Sequence, residues 1–238
     1  MQRYEMDAAI QASDAGKRLA HRQPLTNDVY EVVIDMLMNH SLPPGSRLNI
    51  DGLARTLSVS PTPVREALAR VESEGLIVKE PQRGYTVAPL ISIDQLRELI
   101  EFRLLVEPPT AAQAALLSST AQAAELRAFA KTGGSGDPRE ARAPAANRLD
   151  MLYDAQFHDM VSSFAGNQLI SETLARLRSH LHMYRLYHHA SQVAVTKPEH
   201  LAIARAIARH APDEAYEAMR THLTQALNRL EVVFANQE

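Results

Sequence analysis

The sequence predicts a mainly α protein in two parts: an N-terminal winged helix-turn-helix followed by an all-helical bundle of six or seven helices. Three observations predict it. Ser58–Ile77 reads as a proline-opened amphipathic helix closed by Gly75. Two short strand-forming runs, Leu76-Ile77-Val78 and Tyr85-Thr86-Val87, flank a turn at Gln82-Arg83-Gly84. After residue 88 no strand pattern recurs, and helical periodicity takes over.

In chain order, residues 1–24 are polar and weakly patterned, and a flexible arm carrying Arg3, Lys17, Arg18 and Arg22 is expected. Leu25–His40 has the spacing of a helix with a buried stripe of Val29, Val32, Val33, Met36 and Leu37. Pro43-Pro44-Gly45 stops it with a tight turn. Arg47-Leu48 is a short extended piece. Asn49 can cap the next helix, whose core residues are Leu53, Ala54 and Leu57.

The helix that follows opens with Ser60 as N-cap, its hydroxyl expected to accept a first-turn N–H. Pro61 and Pro63 are tolerated where no intrahelical N–H partner exists. Val64, Ala67, Leu68 and Val71 form one apolar face, and Arg65 and Arg70 lie off it. A short helix, a capped helix and a hairpin would put the capped helix in a DNA major groove with the hairpin beside it.

Pro89-Leu90 marks a boundary between a winged helix-turn-helix at 25–90 and a helical domain at 91–238. Ser92 and Gln95 form a capping box, and Pro108-Pro109 is expected to kink or restart the helix they open. Ala121–Lys131 is the next helix. Residues 132–146, with three glycines and two prolines, form a loop without phosphate-binding character. Helices are expected at Arg148–Phe164, at Gln168–His189, from a Thr196/Glu199 capping box to His210, and from Pro212-Asp213 to Phe234.

Composition narrows the function. The 238 residues carry 45% hydrophobic side chains, enough for a full core, and no cysteine, which excludes disulfides and thiolate metal sites. No run is long and apolar enough for a membrane span, and the first 24 residues lack a signal peptide's apolar core, so a cytoplasmic protein is expected. The formal charge is −3, and residues 25–90 hold six Lys/Arg against eight Asp/Glu. DNA binding must therefore rest on a local basic face.

The segments LPPGSRL, LARTLSVS, TPVREAL, EGLI and RGYTV, in this order and spacing, resemble the DNA-binding domain of GntR-type bacterial transcriptional regulators across about residues 26–90. The resemblance implies contacts to double-stranded DNA from Arg47, Arg55, Thr62, Arg65, Arg70, Arg83 and Gly84. Arg65, one turn into the helix, is suited to grip guanine, and Arg83 to meet phosphate or minor groove. One position departs: the residue before Thr62 is usually arginine in the family and is Pro61 here, so the operator need not be the family's usual one.

Asp154 and His158 stand four apart on one helix and leave the same face. With His200 and His222 they make one carboxylate and three imidazoles, a set suited to Zn²⁺, Ni²⁺ or Mn²⁺. By spacing alone a helix salt link and buried hydrogen-bonded or surface histidines fit better than a shared metal site. EFRLLVEPPTAAQAA, DAQFH, PEHLAIARAI and DEAYEAMRTHL resemble the FCD ligand-binding domain of the FadR subfamily. That resemblance implies a divalent metal on Asp154, His158, His200 and His222, with a small organic acid bound at or beside it. Arg103 is the first candidate to hold the acid, ahead of Arg148, Arg178 and Arg185. Departures are Ala211-Pro212, where glycine is common, and the composition of loop 132–146. His180, His182, His188 and His189 spread around their helix and are expected at the surface.

The expected function is a ligand-responsive regulator, a repressor released by a carboxylate metabolite, acting as a homodimer on a pseudo-palindromic operator. Two alternatives stand beside it: a sensor of the metal itself, and a metal-dependent hydrolase with a DNA-binding head. The hydrolase has no placed general base, since Asp159 faces away from His158, so no enzyme is expected.

Overall fold

The computed structural model describes residues 14–80, 84–132, 144–177, 179–186 and 193–235. The chain divides into two compact units, Met1–Pro89 and Leu90–Glu238.

In the first unit, α1 spans Asp14–Met38. Its start is a correction to the expected arm: from residue 14 the chain is helical. Lys17, Arg18, Leu19 and Ala20 are strong helix formers, and propensity extends the helix where no apolar stripe announces it. The buried face of α1 is Val29, Tyr30, Val33, Ile34, Leu37 and Met38, while Val32 is exposed. These residues recur in the i, i+4, i+8 rows of one helix face, and Val32 falls outside them.

Gly45, at φ 78°, turns the chain so that its N–H reaches the Val87 carbonyl at 2.9 Å. Strand β1 (Arg47–Leu48) follows, then α2 (Ile50–Thr56), where the Asn49 side chain accepts from the Gly52 N–H at 3.1 Å. Helix α3 spans Pro61–Ser73 and buries Pro63, Val64, Ala67, Leu68 and Val71. Ser60 is its N-cap residue, but the hydroxyl makes no capping bond. The third helical position is Pro63, which has no N–H to give, so the usual partner is missing. Strands β2 (Ile77–Glu80) and β3 (Gly84–Val87) pair antiparallel with Ile77 opposite Val87, and β3 also pairs with β1, giving the sheet order β1-β3-β2.

The second unit holds seven helices among the described residues. They are α4 (Ile93–Leu117), α5 (Thr120–Thr132), α6 (Pro144–Phe164), α7 (Gln168–Leu177), α8 (Ser179–Tyr184), α9 (Val193–Ala208) and α10 (Pro212–Ala235). The Ser92–Gln95 capping box opens α4. Pro108 and Pro109 sit inside α4 without ending it, against expectation. Leu96 and Ile100 before them and Ala111, Ala114 and Ala115 after them are all fully buried, and packing of both halves offsets the lost backbone bonds.

Two apolar clusters fill the unit. One gathers the alanines of α4 with Leu126, Phe157, Val161, Ile203, Ile207, Met219 and Leu223. The other joins Leu96 and Ile100 to Met183, Leu186, Ala226 and Leu230. The long helix expected over 168–189 is instead α7 and α8, with α8 ending at Tyr184 in a turn. The expected box at Thr196 and Glu199 does not form, because α9 already begins at Val193. Thr196 is buried within it, and the Glu199 carboxylate turns to other work.

Candidate functional site

Burying one face of α3 turns the other outward. Arg65, Glu66 and Ala69 are exposed there, with Thr62 half-buried at the N-terminal end. Arg47 on β1 and Arg55 on α2 are exposed as well. Gly84, at φ 85°, begins β3, and Arg83 lies outside the described residues. Arg70 is differently placed. Its guanidinium stacks over the Tyr30 ring at 3.6 Å, lies 3.4 Å from Asn27 Oδ1 and pairs with Glu74 at 3.7 Å. Tyr30 completes the group by donating its hydroxyl to Glu74 at 2.8 Å. Arg70 therefore ties α1 to α3.

In the helical unit the structure brings Asp154, His158, His200 and His222 together: one ligand atom of each lies within 4.8 Å of all the others. Asp154 and His158 come from successive turns of α6, His200 from α9 and His222 from α10. His158 Nε2 and His222 Nε2 are 3.2 Å apart, and Asp154 Oδ1 is 3.5 Å from His200 Nε2 and 3.9 Å from His158 Nε2. Phe157 stacks on the His200 ring, centroids 4.0 Å apart and 7° from parallel.

Around this cluster lie groups the sequence reading did not assign. Glu107 Oε2 meets His158 Nδ1 at 2.5 Å, and Arg103 pairs with Glu107. Glu199 Oε2 meets His222 Nδ1 at 2.7 Å, and Arg229 grips Glu199 through contacts of 2.7 and 3.2 Å. Both glutamates stood in the motifs quoted for the helical domain. Glu107 follows Arg103 by one helical turn, and Glu199 precedes His200, where a capping role masked it.

The surroundings fit a divalent cation. His200 is fully buried, and neither of its ring nitrogens has a hydrogen-bond partner among the described residues. Burial, then His222, His158, Arg103 and Arg229, push its pKa well below the ordinary 6.5, so it stands as a neutral imidazole. His222 is also lowered, by burial foremost, against the opposing pull of Glu199. Burial raises the Glu107 pKa, but Arg103 and His158 outweigh it and hold the carboxyl far below its usual range. Burial likewise raises Glu199, and His222 with Arg229 reverses it. Two imidazole nitrogens about 3.3 Å apart is the spacing that bonds of about 2.0–2.1 Å to one tetrahedral ion require.

The arginines expected around an acid ligand separate. Arg103 is buried at the cluster, its Nη2 3.4 Å from His158 Nε2 and its Nη1 3.3 Å from Met183 Sδ. Arg185 is buried in the turn after α8, and burial pushes its pKa down to about 10. The Arg148 side chain and Arg178 lie outside the described residues, as do His188 and His189. His182 is half-buried and Asp159 exposed.

A winged helix-turn-helix joined to a helical unit with a polar, cation-ready centre is the build of a ligand-responsive DNA-binding regulator. Residues 25–87 match the family "Bacterial regulatory proteins, gntR family", and residues 98–225 match the FCD domain. The chain belongs to the GntR family of bacterial transcriptional regulators, with an FCD domain as its helical part. It is similar to the HTH-type transcriptional repressor RspR of Escherichia coli K12, 27% identical over 85% of this chain and 87% of that one. It is also similar to the Nta operon transcriptional regulator of Aminobacter aminovorans, 25% identical over 82% of this chain and 89% of that one. Among solved structures, E. coli McbR/YncC shares the fold with a TM-score of 0.65 at 19% identity, covering 90% of this chain and 99% of that one. Among the described residues no helix is long and apolar enough to cross a membrane.

Proposed function

We propose that this regulator is a repressor whose hold on its operator is released by a small carboxylate bound at a divalent cation in the helical unit. The single observation that carries the reading is the convergence of Asp154, His158, His200 and His222 from three helices, with Arg103 beside them. Asp154 and the three histidines hold the cation. When bound, the cation supplies a Lewis-acidic position for one carboxylate oxygen. Arg103 offers its guanidinium to the other oxygen. Zn²⁺, Ni²⁺ and Mn²⁺ all suit this donor set.

At the other end, Arg65 and Thr62 reach base edges from α3, while Arg47, Arg55, Arg83 and the Gly84 backbone meet the phosphates beside it. Arg70 is left out, because its guanidinium is committed to Tyr30, Asn27 and Glu74. The acting species is a homodimer, which sets two recognition helices on a pseudo-palindromic operator. A groove of about 400 Å³ lined by Leu105, Val106, Pro109 and Ile170 suits a second copy. Leu105, which lines it, and Leu169, the sequence neighbour of its lining residue Ile170, are each 72% exposed. Residues 108–124 and 160–171, which form most of its walls, contain no charged side chain, so two identical faces meet without like-charge repulsion.

The test is operator binding by the full chain, with bound metal identified by mass spectrometry and a panel of small dicarboxylates and hydroxy acids as candidate effectors. Release by one of them, lost after chelation, is the expected result. Release by chelation alone, with no acid effective, supports a pure metal sensor instead, and the absence of bound metal sinks both readings.

A further inference from the structure

We infer that Glu107 and Glu199 are positioning residues for the cation site, each holding one ligand histidine by Nδ1 so that its Nε2 lone pair faces the shared centre. The inference rests on the metal reading above. A carboxylate only accepts hydrogen bonds, so His222, whose Nδ1 bonds Glu199 at 2.7 Å, carries its proton there; Glu107 Oε2 stands 2.5 Å from His158 Nδ1, in position for the same role although the two are not aligned as a hydrogen bond. The other nitrogen is then an acceptor. An independent contact agrees for His158: Arg103 Nη2, which can only donate, lies 3.4 Å from His158 Nε2.

Each carboxylate is itself fixed. Arg103 holds Glu107 on α4, and Arg229 holds Glu199 through two contacts. Each also comes from a helix other than that of its histidine. Glu107 on α4 sets His158 on α6, and Glu199 on α9 sets His222 on α10. With both histidines in that tautomer, two acceptor nitrogens face each other at 3.2 Å with no proton between them, an arrangement a shared cation would satisfy. His200 is the internal contrast. It has no such carboxylate, and the Phe157 stack orients its plane without choosing its tautomer. Outer carboxylates of this kind raise ligand basicity, and their loss lowers metal affinity about 10- to 100-fold.

The experiment has two arms on the full chain. In metal-free protein at mildly alkaline pH, imidazole ¹⁵N shifts report the tautomers. His158 and His222 are expected in the Nδ1–H form, and the Nε2–H form for either overturns the proposal. In the second arm, Zn²⁺ and Ni²⁺ affinities are measured by chelator competition for wild type, Glu199→Gln and Glu107→Gln, with Glu231→Gln as an ion-pair control. Glu231 pairs with Arg97 on the exposed side of the same unit. The expected result is a 10- to 100-fold loss for Glu199→Gln and Glu107→Gln and no change for Glu231→Gln. Affinities of Glu199→Gln within twofold of wild type overturn the proposal while leaving the metal reading intact. Wild type that binds neither ion overturns both. Should Glu107→Gln fail to fold, the tautomers and Glu199→Gln still decide.

Discussion

Arg65 points outward from a helix whose other face is fully packed, so under the proposed DNA-contact role its removal should cost contacts to DNA and little else. Arg65→Ala is expected to weaken operator binding by about 1–3 kcal/mol and to relax specificity at one base position, read by titration against single-base operator variants. Arg47→Ala should instead weaken all sequences alike and reduce the slope of log affinity against log salt by about 1. His200 carries a pH prediction. Its folded pKa is lowered, so the unfolded chain binds a proton near the ordinary pKa of 6.5 that the folded chain refuses. Folded stability of the metal-free protein is therefore full above about pH 6.5 and falls as pH drops below it. Thermal unfolding in chelator at about pH 7.5 and about pH 5.5 should show a lower Tm at the acid end, and His200→Gln should narrow that gap. An equal gap in the variant would assign the acid sensitivity to other groups.

At the scale of elements, α4 is the piece that local rules misjudge. Two adjacent prolines inside a helix each remove a backbone bond and crowd the preceding turn. Pro108 is buried and Pro109 exposed, so only Pro108 is needed for packing. Pro109→Ala should leave the fold in place and stabilise the helical unit by up to about 3 kcal/mol, measured by denaturant unfolding. A loss of stability would mean that the helix needs the bend. Much of the fold was legible in local pattern: the Ser92–Gln95 box, the proline-opened α3, and the β2–β3 hairpin all follow from short-range chemistry. What was not legible depended on neighbours. Glu199 has the spacing of a capping residue, and only the approach of α10 turns it to His222 and Arg229. Arg70 reads as a surface charge until α1 brings Tyr30 under it.

For the whole molecule, the net charge of −3 leaves bulk attraction to DNA weak, so under the proposed homodimer avidity from two heads should carry much of the affinity. Leu105→Glu together with Leu169→Glu puts charges on two exposed leucines, one lining the proposed dimer groove and one beside its lining residue Ile170 in sequence. The double variant is expected to sediment as a monomer and to lose operator affinity at least about 100-fold, with its bundle still folded by circular dichroism. A dimeric double variant would move the interface elsewhere. Cation binding should also stabilise the helical unit, by about 2.7 kcal/mol at a free metal concentration 100 times Kd, so chelation should lower the Tm of that unit.

By itself the sequence determined the two-part plan and the recognition helix, which depend on periodicity, caps and spacing within one helix or one motif, and such short-range constraints are written along the chain. The four candidate cation ligands were named only through the resemblance of their motifs to a family. The tertiary structure alone decided that Asp154, His158, His200 and His222 converge, that Glu107 and Glu199 stand behind two of them, and that Arg70, still half exposed, is held against Tyr30 and Glu74 of its own unit. The reason is distance along the chain. Contacts between helices separated by tens of residues are set by how buried faces pack, and no local pattern encodes which side chains then meet.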